Sequence, residues 1–246
     1  MFLKVIDEFR KINRLRWVPA VSSASNGVGL TFEKLIGKSV DTLFFPDFEG
    51  IELKCTTRYS RFPMSLFSVT FDGSSLFQMN KIVEEFGKED KVFAERKTLG
   101  CRLFVNKYIL VNNKFYFLLK IEDARLNLYI YDLNFKLLNQ EAYVDLKILE
   151  DRLVIKLSKL AIVKASKKRI NGCYHYRYYE IFCYQLTSFE TFVKLLYEGK
   201  ISVNLESYVS KSGYNKGKSS HKGLIFRIEK DNIPLLFDLK YHLNLD

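Results

Sequence analysis

The stretch that most restricts what this chain can become is Pro46-Asp47-Phe48-Glu49-Gly50-Ile51-Glu52-Leu53-Lys54. After Gly50 the residues alternate apolar and charged, the period of a half-buried strand. Such a strand turns Ile51, Leu53 and Cys55 towards a core and holds Glu52 and Lys54 together on the opposite face. Asp47 sits just before it, where a bend swings its carboxylate back towards Glu52. Two convergent carboxylates make a hard oxygen site suited to Mg²⁺, which keeps several waters and seeks phosphate. A lysine beside such a metal orients a water, and the metal stabilises charge on a phosphoryl oxygen. These groups suit phosphodiester hydrolysis. The bland reading is a surface ion pair on an ordinary strand, worth about 1 kcal/mol at most.

Upstream, Gly27-Val28-Gly29-Leu30-Thr31-Phe32-Glu33-Lys34-Leu35-Ile36-Gly37 reads as a helix. Glu33 falls in the i±3 row with Leu30 and Ile36, while Lys34 and Lys38 form an outward i, i+4 pair. A carboxylate among apolar positions is costly unless it is paired or ligated. The preceding Ser-Ser-Ala-Ser-Asn-Gly run at 22–27 is a loop whose serines and Asn26 are cap candidates for this helix.

The two runs GVGLTFEKLIGK and PDFEGIELK resemble the catalytic half of the MvaI/BcnI restriction endonucleases and the related mismatch-repair nickase MutH, members of the PD-(D/E)xK nuclease superfamily. The resemblance implies that Asp47 and Glu52 are metal ligands, Lys54 the catalytic lysine and Glu33 a supporting helix carboxylate. The implied fold is α/β (mixed α+β): a mixed sheet flanked by helices, with a second, β-rich lobe that recognises DNA. On this reading residues 1–100 form the catalytic lobe and 101–246 the recognition lobe.

Charge agrees with a polyanionic partner. The formal net charge is +11 over 246 residues, and lysines and arginines neutralise phosphates with release of counterions. Hydrophobic residues make up 48% of the chain, enough for a sizeable core and too many for disorder. Cys55, Cys101, Cys173 and Cys183 show neither CxxC nor zinc spacing, so free thiols in a reducing prokaryotic cytoplasm are expected. Met1-Phe2-Leu3-Lys4 leads straight into charged residues, so no secretion signal is expected, and no apolar run is long enough for a membrane span.

Residues 2–16 carry Phe2, Val5, Ile6, Phe9, Ile12 and Leu15 at helical spacing. After the catalytic strand, Arg58 and Arg61 emerge on the active-site side as phosphate clamps. A strand at 66–71 and a helix at 77–87 follow. Residues 101–134 read as a β-meander in which Tyr and Phe serve cross-strand packing rather than base stacking. A helix at 144–158 leads to strand 161–167, a basic tip at Lys167-Lys168-Arg169, the Asn171-Gly172 hairpin turn and strand 173–183, where His175 is structural. Thr187 and Glu190 read as a capping box for a helix stopped by Gly199.

The segment Ser210–Gly223 is rich in glycine and lysine, contains no acid and lies between strands 201–208 and 224–228. Such a loop enters a DNA groove with lysines on phosphates and other side chains at base edges. It also resembles the C-terminal recognition region of the MvaI/BcnI family, which implies DNA-recognition roles for Lys211, Lys216, Lys218, His221, Lys222 and Arg227. The resembled loop is richer in histidine, and Glu206 stands where a basic reader of guanine is expected. Glutamate accepts from cytosine N4 instead, so a target other than the family's CC-(A/T or C/G)-GG sites is expected.

The expectation is therefore a Mg²⁺-dependent type II restriction endonuclease acting on double-stranded DNA. It would be a monomer, paired with a cognate DNA methyltransferase. A MutH-like strand-specific nickase and a non-catalytic DNA-binding module are the alternatives.

Overall fold

A computed structural model of the chain describes residues 2–38, 45–58, 60, 62–71 and 76–246, with Leu76 and Phe77 in backbone only. In chain order its elements are α1 (Leu3–Arg14), β1 (Val18–Pro19), α2 (Gly27–Leu35), β2 (Glu52–Thr57), β3 (Met64–Val69), α3 (Leu76–Phe86), β4 (Lys88–Glu89) and β5 (Lys97–Leu103). A meander follows: β6 (Tyr108–Val111), β7 (Phe115–Glu122), β8 (Arg125–Tyr131) and β9 (Leu137–Asp145). The remainder is α4 (Leu146–Leu157), β10 (Lys159–Ile170), β11 (Cys173–Leu186), α5 (Phe189–Tyr197), β12 (Ile201–Val209), β13 (Ser219–Ile228), α6 (Ile233–Leu236) and β14 (Phe237–Asn244). The fold is mixed α/β, as expected.

Two compact units emerge, and they are interleaved along the chain. One comprises Met1–Phe62, Val154–Ser188 and Ile233–Asp246; the other comprises Pro63–Leu153 and Phe189–Asn232. The division differs from the expected boundary at residue 100, which lies inside β5. The ladder from β5 to β12 pairs Leu99–Leu103 with Val203–Ser207, so a cut there would break a sheet. Pairing over such separations leaves no mark in local sequence.

The first unit is built on a five-stranded sheet in the order β1-β11-β10-β2, with β14 also pairing β11. β2 runs parallel to β10 while β10, β11 and β14 are antiparallel, which gives the expected mixed sheet. One sheet face presents Leu53, Ala161, Val163, Ala165, Tyr178 and Ile181 to a core completed by Phe9 and Ile12 of α1 and Phe32 of α2. The spacing of Val5, Ile6, Phe9 and Ile12 gives α1 its buried stripe. Leu15, expected on that stripe, lies beyond the helix and is exposed. The hairpin turn is as expected: Asn171 and Gly172 both have positive φ, 48° and 81°, matching the twist of β10 and β11.

The second unit holds two sheets, β3-β13-β12-β5-β4 and β6-β7-β8-β9. Its centre includes Phe67, Phe192 and Phe226, whose ring centroids lie 4.8–5.7 Å apart. In the meander, Phe117 and Leu119 are fully buried, while Tyr108, Tyr116, Tyr131 and Phe135 pack ring against ring on the other side. Gly199, at φ 67°, ends α5 as expected. Thr187 does not cap that helix; its hydroxyl donates to the Leu236 carbonyl at 2.8 Å.

Candidate active site

The site begins with a turn. Phe48 and Ile51 exchange backbone hydrogen bonds of 3.0 and 2.8 Å around Glu49 and Gly50, both at positive φ (49° and 74°). This tight reversal folds Asp47 back along β2, where its Oδ2 accepts from the Leu53 amide at 2.9 Å. The strand alternates as its sequence dictates. Ile51 and Leu53 are buried in the core, Cys55 packs against that core, and Glu52 and Lys54 share the opposite face. Lys54 Nζ lies 2.6 Å from Glu52 Oε1.

Two further lysines complete the charge pattern, and neither was legible as a site residue. Lys38 was expected to pair outward with Lys34. Instead α2 ends at Leu35, and the turn beyond it directs Lys38 onto Asp47 Oδ1 in a largely buried ion pair. Lys156 of α4 lies 3.4 Å from Glu52 Oε2. It arrives there because β10, which starts just after α4, pairs Leu160 with Glu52. Neither contact has a sequence signal, since each depends on how distant segments pack.

These cations act against burial. Burial alone would raise Asp47, but the hydrogen bonds from Lys38 and the Leu53 amide and the charges of Lys38 and Lys54 hold its carboxyl below the usual value. At Glu52 burial wins: with the Asp47 charge it lifts the carboxyl above the usual value against the pull of Lys54 and Lys156. The side chain of Glu52 is only 2% exposed, and its Oε2 is buried without a hydrogen-bond partner. That oxygen is one an incoming cation would satisfy.

Glu33 is partly buried on α2. Its charge bears on Cys55, whose thiol is raised first by burial and then by Glu33 and Asp47. The structure therefore groups Asp47, Glu52 and Lys54, and Glu33 on α2 is near enough for its charge, like that of Asp47, to act on Cys55. The seat of α2 depends on Gly27, where a Cβ would come 2.3 Å from the Ser22 carbonyl oxygen. Asn26 occupies the N-cap position, but its side chain makes no capping bond. Among the described residues no group of three or more His, Cys, Asp or Glu forms a ready-made metal cage. A carboxylate pair is nonetheless what Mg²⁺ uses when waters and substrate phosphate supply the rest.

The residues expected to touch DNA are distributed as follows. Arg58 is exposed just past β2, with its amide on the Ala165 carbonyl; Arg61 lies outside the described residues. The basic loop is shorter than expected, because β13 begins at Ser219 and takes His221 and Lys222 onto a strand. Lys211, itself exposed, is tied to Asp90 Oδ1, an oxygen that also accepts the Val92 and Phe93 amides at 2.9 and 3.0 Å. The Lys211 hydrogen bond and these amides depress Asp90 to about 2, so the tie holds at neutral pH and is lost as pH falls through about 2. An NMR titration of the Asp90 carboxyl is expected to show a midpoint near 2; a midpoint at the ordinary 3.8 would mean the loop is not anchored there.

Lys216 lies in the loop, Lys218 sits over the exposed Tyr214 ring at 4.6 Å, and Lys222 over Tyr208 at 5.3 Å. His221 is lowered by burial, which makes it a neutral hydrogen-bonding group rather than a phosphate-neutralising cation. Arg227 donates to Glu206 Oε1 at 2.6 Å. Glu206, expected as a reader of cytosine, thus holds an arginine in place on the sheet.

Comparison with known proteins gives one answer. The family model of the MvaI/BcnI restriction endonucleases matches residues 6–237. The solved complex of restriction endonuclease MvaI with cognate DNA substrate shares the fold with a TM-score of 0.88 at 22% identity, covering 97% of each chain. MvaI in the absence of DNA gives a TM-score of 0.59 at 22% identity, covering 97% of this chain and 96% of that one. No curated protein matches. With nearly its whole length matched by the family model, and with this fold, the chain belongs to the MvaI/BcnI restriction endonuclease family and is a type II restriction endonuclease, a site-specific deoxyribonuclease.

Proposed function

We propose that this endonuclease hydrolyses double-stranded DNA with Mg²⁺ held by Asp47 and Glu52, Lys54 orienting the attacking water and Glu33 supporting the carboxylate cluster. The observation that carries this reading is the pairing of Asp47, tied back to the Leu53 amide, with a Glu52 whose buried Oε2 lacks a hydrogen-bond partner. When bound, Mg²⁺ supplies a Lewis acid that offsets charge developing on the phosphoryl oxygens. Lys54 gives one N–H to Glu52 and keeps two for a water and a phosphate oxygen. Lys38 holds Asp47 ionised and in place before the metal arrives, while Lys156 beside Glu52 opposes the upward push of burial on that carboxyl. In-line attack then needs only positioning and charge stabilisation.

The unit containing β2 carries catalysis and the unit containing β12 and β13 reads DNA. Arg58, Arg61, Lys216, Lys218 and Lys222 contact phosphates, Lys211 anchors the loop that carries Lys216 and Lys218, and Arg227 and His221 face base edges. Glu206 orients Arg227, so Arg227→Ala is expected to cost about 1–3 kcal/mol of discrimination at one base pair. Cleavage of singly altered target sites measures it, and unchanged selectivity would remove Arg227 from base reading. The enzyme works as a monomer in the cytoplasm beside a methyltransferase that protects the host's own sites.

The test is digestion of long unmethylated phage DNA and of a supercoiled plasmid, with Mg²⁺ or with EDTA. Discrete fragments and linear plasmid only with Mg²⁺ are expected. Nicked circles alone would indicate a strand-specific nickase, and intact DNA would overturn the catalytic reading.

A further inference from the structure

The β10–β11 hairpin extends past the strand that carries the active site. β10 pairs with β2 only from Leu160 to Ala165; its last residues, through Ile170, pair only with β11. Burial changes at the same point. Leu160 to Val163 and Ala165 are buried, whereas Lys167, Lys168 and Arg169 are exposed. Beyond Tyr176, which is buried opposite Lys167, the hairpin tip covers little core, so packing gives Lys168 and Arg169 no reason to extend so far.

Its chemistry is one-sided. From Arg152 to Tyr179 the sequence has eight Lys and Arg and no Asp or Glu. The three tip cations are seated on aromatic rings. Lys167 Nζ lies 3.6 Å from the Tyr174 centroid, the Arg169 guanidinium 5.5 Å from the same ring, and Lys168 Nζ 4.0 Å from Trp17. Arg169 is fixed further by a 2.9 Å bond from its Nε to the Gly172 carbonyl. A ring restrains a cation without neutralising it, which lowers the entropy lost when the cation meets an anion. Among the described residues no carboxylate forms an ion pair with any of the three.

We infer that this hairpin is a sequence-independent phosphate-binding arm for the DNA substrate, with Lys167, Lys168 and Arg169 as its contacts. The inference rests on the DNA-cleaving reading of the neighbouring site. Lys54 is level with Ile162 in the ladder, so at ~3.3 Å per residue the tip lies about 17–23 Å along the strand from the catalytic lysine. At ~3.4 Å per base pair that spans roughly five to seven base pairs, which places the arm on backbone beside the cleaved bond rather than at it.

The test measures affinity for a random-sequence 40-base-pair duplex in EDTA across salt concentrations, so cleavage plays no part. The triple variant Lys167→Gln, Lys168→Gln, Arg169→Gln is expected to reduce the slope of log affinity against log salt by about 2–3. Affinity near 0.1 M salt should fall on the order of tenfold. Each single variant should reduce the slope by about 1, and exchanging Lys for Arg and Arg for Lys should restore it. A slope unchanged in the triple variant, or in each single variant where the triple does not fold, would overturn the arm. That failure would leave Mg²⁺-dependent cleavage intact, whereas failure of the catalytic reading would show as intact DNA in Mg²⁺ with the salt effect still present.

Discussion

Replacing Glu52 with alanine is expected to reduce cleavage by on the order of 10³-fold or more while DNA binding in EDTA stays at the wild-type level. Glu52 supplies the buried carboxylate oxygen without a hydrogen-bond partner, and its side chain lies on the strand face opposite the core. Its loss removes metal-holding capacity without disturbing core packing. Removing a negative charge near phosphate does not weaken DNA binding. Stability should change little as well. The usual penalty for breaking a buried pair arises from an uncompensated buried charge. Here Lys54 and Lys156 are 28% and 20% exposed and can turn to water. Single-turnover cleavage, anisotropy and thermal melts of one preparation separate these effects. A variant that cuts within tenfold of wild type would remove Glu52 from the site.

Phe32→Ala should give the largest stability loss near the site, about 3–5 kcal/mol. The side chain is fully buried, and its ring centroid lies 5.0 Å from that of Tyr178. Tyr178 in turn donates to the Val28 carbonyl at 2.7 Å, so ring and hydroxyl together clamp α2 to the sheet. The cavity left by alanine cannot close without moving the helix that carries Glu33. At ~2–4 °C per kcal/mol the melting temperature should drop by roughly 10 °C, and cleavage should be lost at correspondingly lower temperature. A shift below about 2 °C would show that α2 is not anchored through this contact.

What the sequence discloses is local. The alternation of Ile51 to Lys54, the Glu-Gly reversal before it and the Asn171-Gly172 turn each follow from residues within a few positions, and each is present. The stripe of α1 is equally direct, although Leu15 falls off its end. What escapes depends on contacts between distant segments. Lys156 reaches Glu52 only because β10 lies parallel to β2, Lys38 reaches Asp47 only because α2 stops early, and Lys211 faces Asp90 across 121 residues. Thr187 has the sequence of a cap but a better partner in Leu236, a contact outside its own helix. Interleaved units are the same effect at larger scale, because a chain that returns to an earlier sheet changes nothing in the composition of the returning strand.

The central claim, that Asp47 and Glu52 jointly hold the catalytic metal, is tested most directly by single-turnover cleavage across Mg²⁺ concentrations for the wild type, Asp47→Asn and Glu52→Gln. Wild-type rates should rise from none in EDTA to a plateau, and each variant should need far more Mg²⁺ and reach a plateau lower by on the order of 10²-fold or more. Wild-type rates that ignore Mg²⁺, or a variant matching the wild-type curve, would contradict the account.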